Sequence, residues 1–423
     1  MEKTEKIIKY LKENLENQSL SQLNRVIENK LLGFNINPEF NTAIIAALPE
    51  LRQPKVSILQ IAPCTGVLTQ QLIKKYQNNT FFIDVTLLFN SENELKICKM
   101  IMDKFFPKSS SLLIRYVVAD YLEYTPNMHY DILISAPTNK KVTGIERLKL
   151  ARRFNDNKSN NLTSFIIQKA LKEANNIGFV LPKYFLHNMD FSICRDRVAQ
   201  HEINYILDFA ELAFEGISAE SIGLFVNTQR KPSETRVNSF SKRTRITQRQ
   251  MDITNPLFPT WVVYTNDFFK AIAIRMDFNI FDAFRDRQIT NEILKPEGKI
   301  PVLKAKNIPR DGSGIIKTKD DVFVTLEDAK TLNAAKYLDR DDVYLCPNLT
   351  NHPRVVKKPA GYIASGSLAV LIPKKGVSLS QDDLAYFASE EFERFYQIAR
   401  NYSTRSLNID KNAIFYFGKL LEH

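Results

Sequence analysis

Apolar positions along the chain recur with two different spacings. In residues 1–30, Ile7, Ile8, Leu11 and Leu15 share one helical face, which predicts a helix at the start of the chain. From about residue 56 to 225 short apolar runs take over: Val56–Ile61, Phe81–Leu88, Leu113–Val118, Tyr130–Ile134, Ile177–Leu181, Ile203–Phe209 and Ile222–Val226. Helix-like segments lie between them, among them Leu68–Gln77, Ser91–Phe106, Thr163–Ala174 and Phe191–Gln200. This alternation predicts an α/β domain with a largely parallel sheet. Ligands of such sheets bind beyond the carboxyl ends of the strands. Chemistry is therefore expected in the loops after Ile61, Leu88, Val118 and Ile134.

The pattern changes after Val226. Residues 230–249 hold seven basic residues, Arg230, Lys231, Arg236, Lys242, Arg243, Arg245 and Arg249, against one acid, Glu234. A solvated hairpin or linker and a DNA-contacting segment both fit this run. From about residue 260 short strands and turns mix with helices, with turn signals at Asp311-Gly312, Lys375-Gly376 and Pro359-Ala360-Gly361. The expected organisation is a first domain over 1–228, a basic hairpin or linker over 229–259, and a second, α+β domain over 260–423.

Composition adds three constraints. With 423 residues, 44% of them hydrophobic, the chain can bury a sizeable core. A formal net charge of +11 favours a polyanionic partner, nucleic acid before membrane, although a merely soluble basic protein would also carry it. No apolar stretch approaches a membrane span, and the N-terminus has no apolar signal core. Cys64, Cys98, Cys194 and Cys346 are too scattered for a metal-ligand pair or a disulfide framework. A reducing, cytoplasmic setting without a bound metal is the expectation.

The candidate chemistry lies at four strand ends. Ser57-Ile-Leu-Gln-Ile-Ala-Pro-Cys-Thr-Gly-Val-Leu-Thr69 reads as strand, turn and helix start. Val117-Val-Ala-Asp-Tyr-Leu122 places an acid, Asp120, just past a third strand. Tyr130-Asp-Ile-Leu-Ile-Ser-Ala-Pro-Thr-Asn-Lys-Lys141 runs a hydrophobic strand into Ala136-Pro137-Thr138-Asn139. In this order the segments resemble the first, third and fourth motifs of the amino-specific (adenine-N6) DNA methyltransferases of restriction–modification systems. The resemblance implies a Rossmann-like methyltransferase domain with a mixed sheet, S-adenosylmethionine as cofactor and double-stranded DNA as substrate. It assigns the cofactor's methionine part to the turn with Thr65 and Gly66, its ribose to the end of the second strand near Asn90, and its adenine amino group to Asp120.

This chain departs from that pattern in three motifs. Gln60 stands where an acid is usual, and Cys64 where glycine is usual. The second strand runs into Leu88-Phe89-Asn90-Ser91-Glu92 in place of a terminal acid, and Ser91 with Glu94 also reads as a helix cap. The fourth motif is ordinarily Asn-Pro-Pro-aromatic. Its Asn side chain and Pro carbonyl accept from the target amine, and its aromatic stacks on the flipped base. Ala136 removes one acceptor, Thr138 replaces the second Pro, and Asn139 replaces the stacking face. The stacking face alone is worth roughly 1–3 kcal/mol. A lost positioned polar partner costs on the order of 10²-fold in rate.

Downstream, Asn161-Leu-Thr163 and Ile177-Gly-Phe-Val-Leu-Pro-Lys-Tyr-Phe185 resemble later motifs of the same family. Phe185 and Phe191 are candidates to frame a flipped base, with core packing the simpler reading for each. Arg195 and Arg197 are expected to face DNA or solvent. Val302–Ile308, Asn351–Val356, Ala364–Leu371 and Ile398–Ile409 resemble segments of target-recognition regions. Arg354, Lys357 and Lys358 suit phosphates, while Asn401, Ser403, Thr404 and Arg405 suit phosphate and base-edge contacts.

Three functions are consistent with these residues. The first is a sequence-specific DNA-binding, methyltransferase-like subunit, catalytically impaired and acting with an active methyltransferase or endonuclease partner. The second is an active S-adenosylmethionine-dependent adenine-N6 methyltransferase with an atypical motif. The third is an RNA-binding or RNA-modifying protein of the same fold.

Overall fold

A computed structural model describes residues 2–32, 35–136, 140–404 and 408–421. The chain divides into two compact units, Met1–Asn255 and Pro256–His423.

The first unit is organised by one nine-stranded sheet. Its strands are β1 (Lys55–Ile61), β2 (Phe82–Phe89), β3 (Leu112–Val118), β4 (Tyr130–Ser135), β5 (Ala174–Pro182), β6 (Glu202–Ala210), β7 (Ser221–Asn227), β8 (Glu234–Ser239) and β9 (Thr244–Arg249). They lie in the order β9-β8-β6-β7-β5-β4-β1-β2-β3. β1 to β5 are mutually parallel where they pair. β7 enters between β5 and β6 antiparallel to both. The segment between β6 and β7 holds no helix, and so short a return suits antiparallel neighbours rather than a crossover. The central strands are largely apolar because helices cover both faces; in β1 every residue but Lys55 is buried.

The helices of this unit are α1 (Glu2–Asn14), α2 (Leu20–Leu32), α3 (Pro38–Ala47), α4 (Val67–Tyr76), α5 (Glu92–Phe105), α6 (Gly144–Phe154), α7 (Leu162–Ala170) and α8 (Ser192–Val198). The initial helix expected over 1–30 is thus two helices. Their buried Ile7, Leu11, Leu23 and Ile27 pack on Ile97 and Ile101 of α5. The main core joins Phe40 and Ile44 of α3, Leu72 of α4, and strand residues such as Ile58, Val85, Ile134, Phe209 and Phe225. Within the segment 229–259, residues 234–249 are built into the sheet: β8 pairs parallel to β6, and β9 closes an antiparallel hairpin on β8.

The second unit is an α+β assembly. Phe281–Phe284, Leu368–Pro373, Tyr344–Pro347 and Val356–Lys357 form a four-stranded antiparallel sheet in that order. Val322–Val324, Ile300–Leu303 and Ile363–Ala364 form a three-stranded sheet. Gly366 follows the last of these strands. A Cβ there would lie 2.7 Å from the Asp286 carbonyl oxygen, so only glycine lets the two backbones meet. Helices Asp267–Ile274 and Glu390–Ala399 pack through stacked Phe269 and Phe395, whose centroids are 4.8 Å apart.

Candidate functional site at the carboxyl edge of the sheet

Parallel pairing puts the ends of β3, β2, β1 and β4 side by side. The loops carrying Asp120, Asn90, Thr65 with Gly66, and Ala136 therefore share one edge of the first unit.

The turn after β1 is tight. Ala62, Cys64 and Gly66 all take positive φ, 51°, 54° and 81°. For a residue with a Cβ, that conformation costs roughly 1–2 kcal/mol. Cys64 thus holds a conformation natural to glycine. Gly66 is the N-cap of α4 and offers no side chain to its free N–H groups. Gln60 supplies the acceptor instead: its buried side-chain oxygen receives the backbone N–H of Thr69 at 3.1 Å and the Thr69 hydroxyl. An amide oxygen suffices for this capping, and it leaves Gln60 committed to the helix. A Cβ on Gly66 would approach Cys98 Sγ and Met102 Sδ of α5 at 3.2 Å, so its open side faces protein packing.

The turn is also held by a helix that precedes it in the chain. Glu28, on α2, is buried and accepts the Thr65 hydroxyl at 3.0 Å. Beside it Asn24 donates to Gln70 at 2.7 Å, and Gln70 donates to the Thr65 carbonyl at 3.0 Å. Burial raises the Glu28 carboxyl to about 7, against a smaller lowering by Thr65. Burial, with Glu28 adding to it, pushes the Cys64 thiol up to about 12. A sequence signal exists: Leu20, Leu23, Asn24, Ile27, Glu28 and Leu31 follow helical spacing, so two polar residues sit on an apolar stripe.

At the end of β2, Phe89 is fully buried in the core and stacks on Tyr116 with centroids 6.5 Å apart. Asn90 is exposed, and Ser91 caps α5 by accepting the Glu94 N–H at 3.3 Å. No carboxylate ends this strand; Glu92 lies in the first turn of the helix. At the end of β3 the exposed Asp120 uses Oδ1 to accept the Leu122 N–H at 2.8 Å. At the end of β4, Ser135 donates to the Ile61 carbonyl at 3.1 Å, and the half-buried Ala136 packs on the core. Pro137, Thr138 and Asn139 lie outside the described residues. Among the described residues, no carboxylate stands at the end of β2, where the resemblance expects the ribose partner, and Ala136 carries no side-chain acceptor for a target amine. Among the described residues no group of three His, Cys, Asp or Glu side chains is placed to hold a metal ion.

Several candidate contacts are structural instead. Phe185 and Phe191 are buried and pack on each other, centroids 5.2 Å apart. Arg195 does not face DNA or solvent: it is buried and donates to the carbonyls of Phe185 at 2.8 Å and Asn188 at 2.7 Å. Arg197 donates to the Phe154 carbonyl at 2.6 Å and to Gln168.

The second unit corrects the expected DNA contacts in the same way. Lys358 is fully buried, and its ammonium donates to the carbonyls of Leu338, Arg340 and Pro359 at 2.8–3.1 Å. Burial lowers it to about 8. Arg354 spends its guanidinium on the carbonyls of Ile308 and His352. Asn401 is buried, accepting from Val263 N–H and donating to the Trp261 carbonyl, both at 2.8 Å. Ser403 is buried as well. Lys357 and Thr404 are exposed, and Arg405 lies outside the described residues.

No family model matches the chain, and no curated protein matches it. Solved structures do. The type IIG restriction endonuclease BpuSI aligns over 96% of this chain and 61% of its own, at 11% identity and a TM-score of 0.50. A protein from Listeria monocytogenes described as a class I S-adenosylmethionine-dependent methyltransferase aligns over 55% of this chain and 76% of its own, at 14% identity and a TM-score of 0.44. The type I restriction-modification methyltransferase subunit from Streptococcus thermophilus aligns over 49% of this chain, at 12% identity and a TM-score of 0.41; the match spans about half (48%) of that subunit. At such identities the likeness is one of fold. The first unit has a Rossmann-like α/β fold with a mixed sheet.

Proposed function

We propose that this protein is a sequence-specific DNA-binding, methyltransferase-like subunit of a restriction–modification or related defence system. In this reading it transfers little or no methyl group by itself and acts with an active methyltransferase or endonuclease subunit. The observation that carries the reading is Ala136, a methyl side chain at the end of β4 where the resembling family presents an amide acceptor. Gln60, committed to Thr69, and Phe89, committed to the core, support the same reading. Double-stranded DNA is the proposed partner molecule. The second unit is proposed as its target-recognition domain, with Lys357, Thr404 and Arg405 as the candidate contacts.

A second reading, an active adenine-N6 methyltransferase, draws on the turn after β1. There Glu28 brings a carboxylate to Thr65, and Asp120 keeps an exposed side chain one loop away. Tritiated S-adenosylmethionine with DNA of many sequences separates the two, using the isolated chain and the chain with neighbouring gene products. Transfer only with a partner is expected; robust transfer by the isolated chain would establish the second reading. Calorimetric titration with S-adenosylmethionine is the companion measurement, with weak or no binding expected.

A further inference from the structure

The basic run 230–249 folds so that its charges divide between opposite edges of the sheet. β8 runs parallel to β6, with Arg236 opposite Tyr205 and Ser239 opposite Asp208. The turn 240–243 therefore projects from the carboxyl edge, the edge that carries Asp120 and Ala136. Lys242, Arg243 and Arg245 are exposed at this end. Arg245 opposes Asn238, near the end of β8. Among the described residues the side chains of Arg243 and Arg245 make no ion pair or hydrogen bond. Below the tip, the buried Lys183 lies 2.8 Å from Asp208 and 4.0 Å from Glu220, both buried as well. The opposite end of the hairpin differs. Arg230 lies 3.8 Å from Glu202, and Arg249 pairs with Asp252 at 3.0 Å.

We infer that the β8–β9 tip is a sequence-independent phosphate clamp for duplex DNA, separate from the recognition surface of the second unit. The inference rests on the DNA-binding reading above and adds a second contact to it. Two unpaired guanidinium groups suit phosphate oxygens, which they can meet with paired N–H donors. Position supports the assignment as well as charge. Four strand spacings separate β8 from β4, about 19 Å at roughly 4.8 Å per step. That is the rise of about six base-pair steps at roughly 3.4 Å each, so the tip would meet the backbone about half a turn from a base held at Ala136.

The test is the salt dependence of binding by the full chain to a labelled 30-base-pair duplex of arbitrary sequence, read by fluorescence anisotropy. Each phosphate contact contributes about 0.9 to the slope of log K against log salt. Arg243→Ala/Arg245→Ala is expected to lower the slope by about 1.8. Arg230→Ala/Lys231→Ala removes the same charge from the other end and is expected to leave it unchanged. Equal effects of the two variants, or no effect of either, would overturn the clamp while leaving the DNA-binding reading intact. Absence of any salt-dependent binding by the wild-type chain would overturn both. An unchanged DNA slope with lost binding to polyglutamate would assign the tip to an acidic protein surface and also overturn the clamp.

Discussion

Glu28→Gln is the most informative substitution outside the strand-end motifs. The glutamine keeps an oxygen for the Thr65 hydroxyl and removes only the ability to ionise. In the folded chain the carboxyl lies at about 7, against 4.5 for an unperturbed glutamate, with burial the main cause. The folded state therefore keeps this proton where the unfolded chain has released it. Stability is lost as pH rises from about 4.5 to about 7, and is fully present below that window. At about 1.4 kcal/mol per pH unit, the loss amounts to about 3 kcal/mol at pH 8. Glu28→Gln escapes it. For a unit of this size 1 kcal/mol moves Tm by roughly 2–4 °C, so the variant should melt roughly 6–12 °C above wild type at pH 8. At pH 5 the gain should shrink to below about 1 kcal/mol. Thermal and urea unfolding at the two pH values measure this directly. An equal shift at both, or a lower Tm for the variant at pH 8, would refute the picture of a neutral acid buried against the turn.

Other expectations follow from the same geometry. Lys183→Met removes the cation that lies 2.8 Å from buried Asp208 and 4.0 Å from buried Glu220, and should cost about 3–5 kcal/mol by urea unfolding. Lys183→Met/Asp208→Leu should recover part of that loss. Ala136→Asn/Thr138→Pro/Asn139→Tyr restores the acceptor and the stacking face, and should raise tritium transfer to DNA on the order of 10²-fold over background. No gain would place the limiting defect in the cofactor turn. Lys358→Met strands three carbonyls and should destabilise the chain by roughly 2–4 kcal/mol. The folded fraction should bind DNA within about twofold of wild type, and a larger loss would return Lys358 to the DNA surface.

The central sheet was legible because strands covered on both faces must be largely apolar, as β1 and β2 are apart from a few buried polar residues such as Ser57, Gln60, Asp84 and Thr86. The hairpin was harder to place. In β8 buried Thr235, Val237 and Ser239 alternate with less buried residues, and β9 buries none of its residues. A half-covered edge of a sheet and a solvated linker look alike at that level. α6 buries only Leu150 and Phe154, so most of its sequence is surface. The motif segments identified the strand ends but not how their side chains are used. Residue type says that Asn401, Arg354 and Lys358 can donate hydrogen bonds. Only the packing shows that the acceptors are carbonyls of the chain itself. Glu28 shows the converse: a polar residue on an apolar stripe marks a buried partner, but names no partner until the turn it meets is known.

The docking of α1 and α2 also sets an order on synthesis. Their apolar stripe rests on Ile97 and Ile101 of α5, and Glu28 and Asn24 meet Thr65 and Gln70. Leu32 leaves the ribosome well before Phe105, the last residue of α5. At roughly 5–20 residues per second, the interval lasts about 4–15 s. Throughout it Ile7, Leu11, Leu23 and Ile27 lack the α5 surface they rest on, which makes this pair of helices a natural holding point for a chaperone.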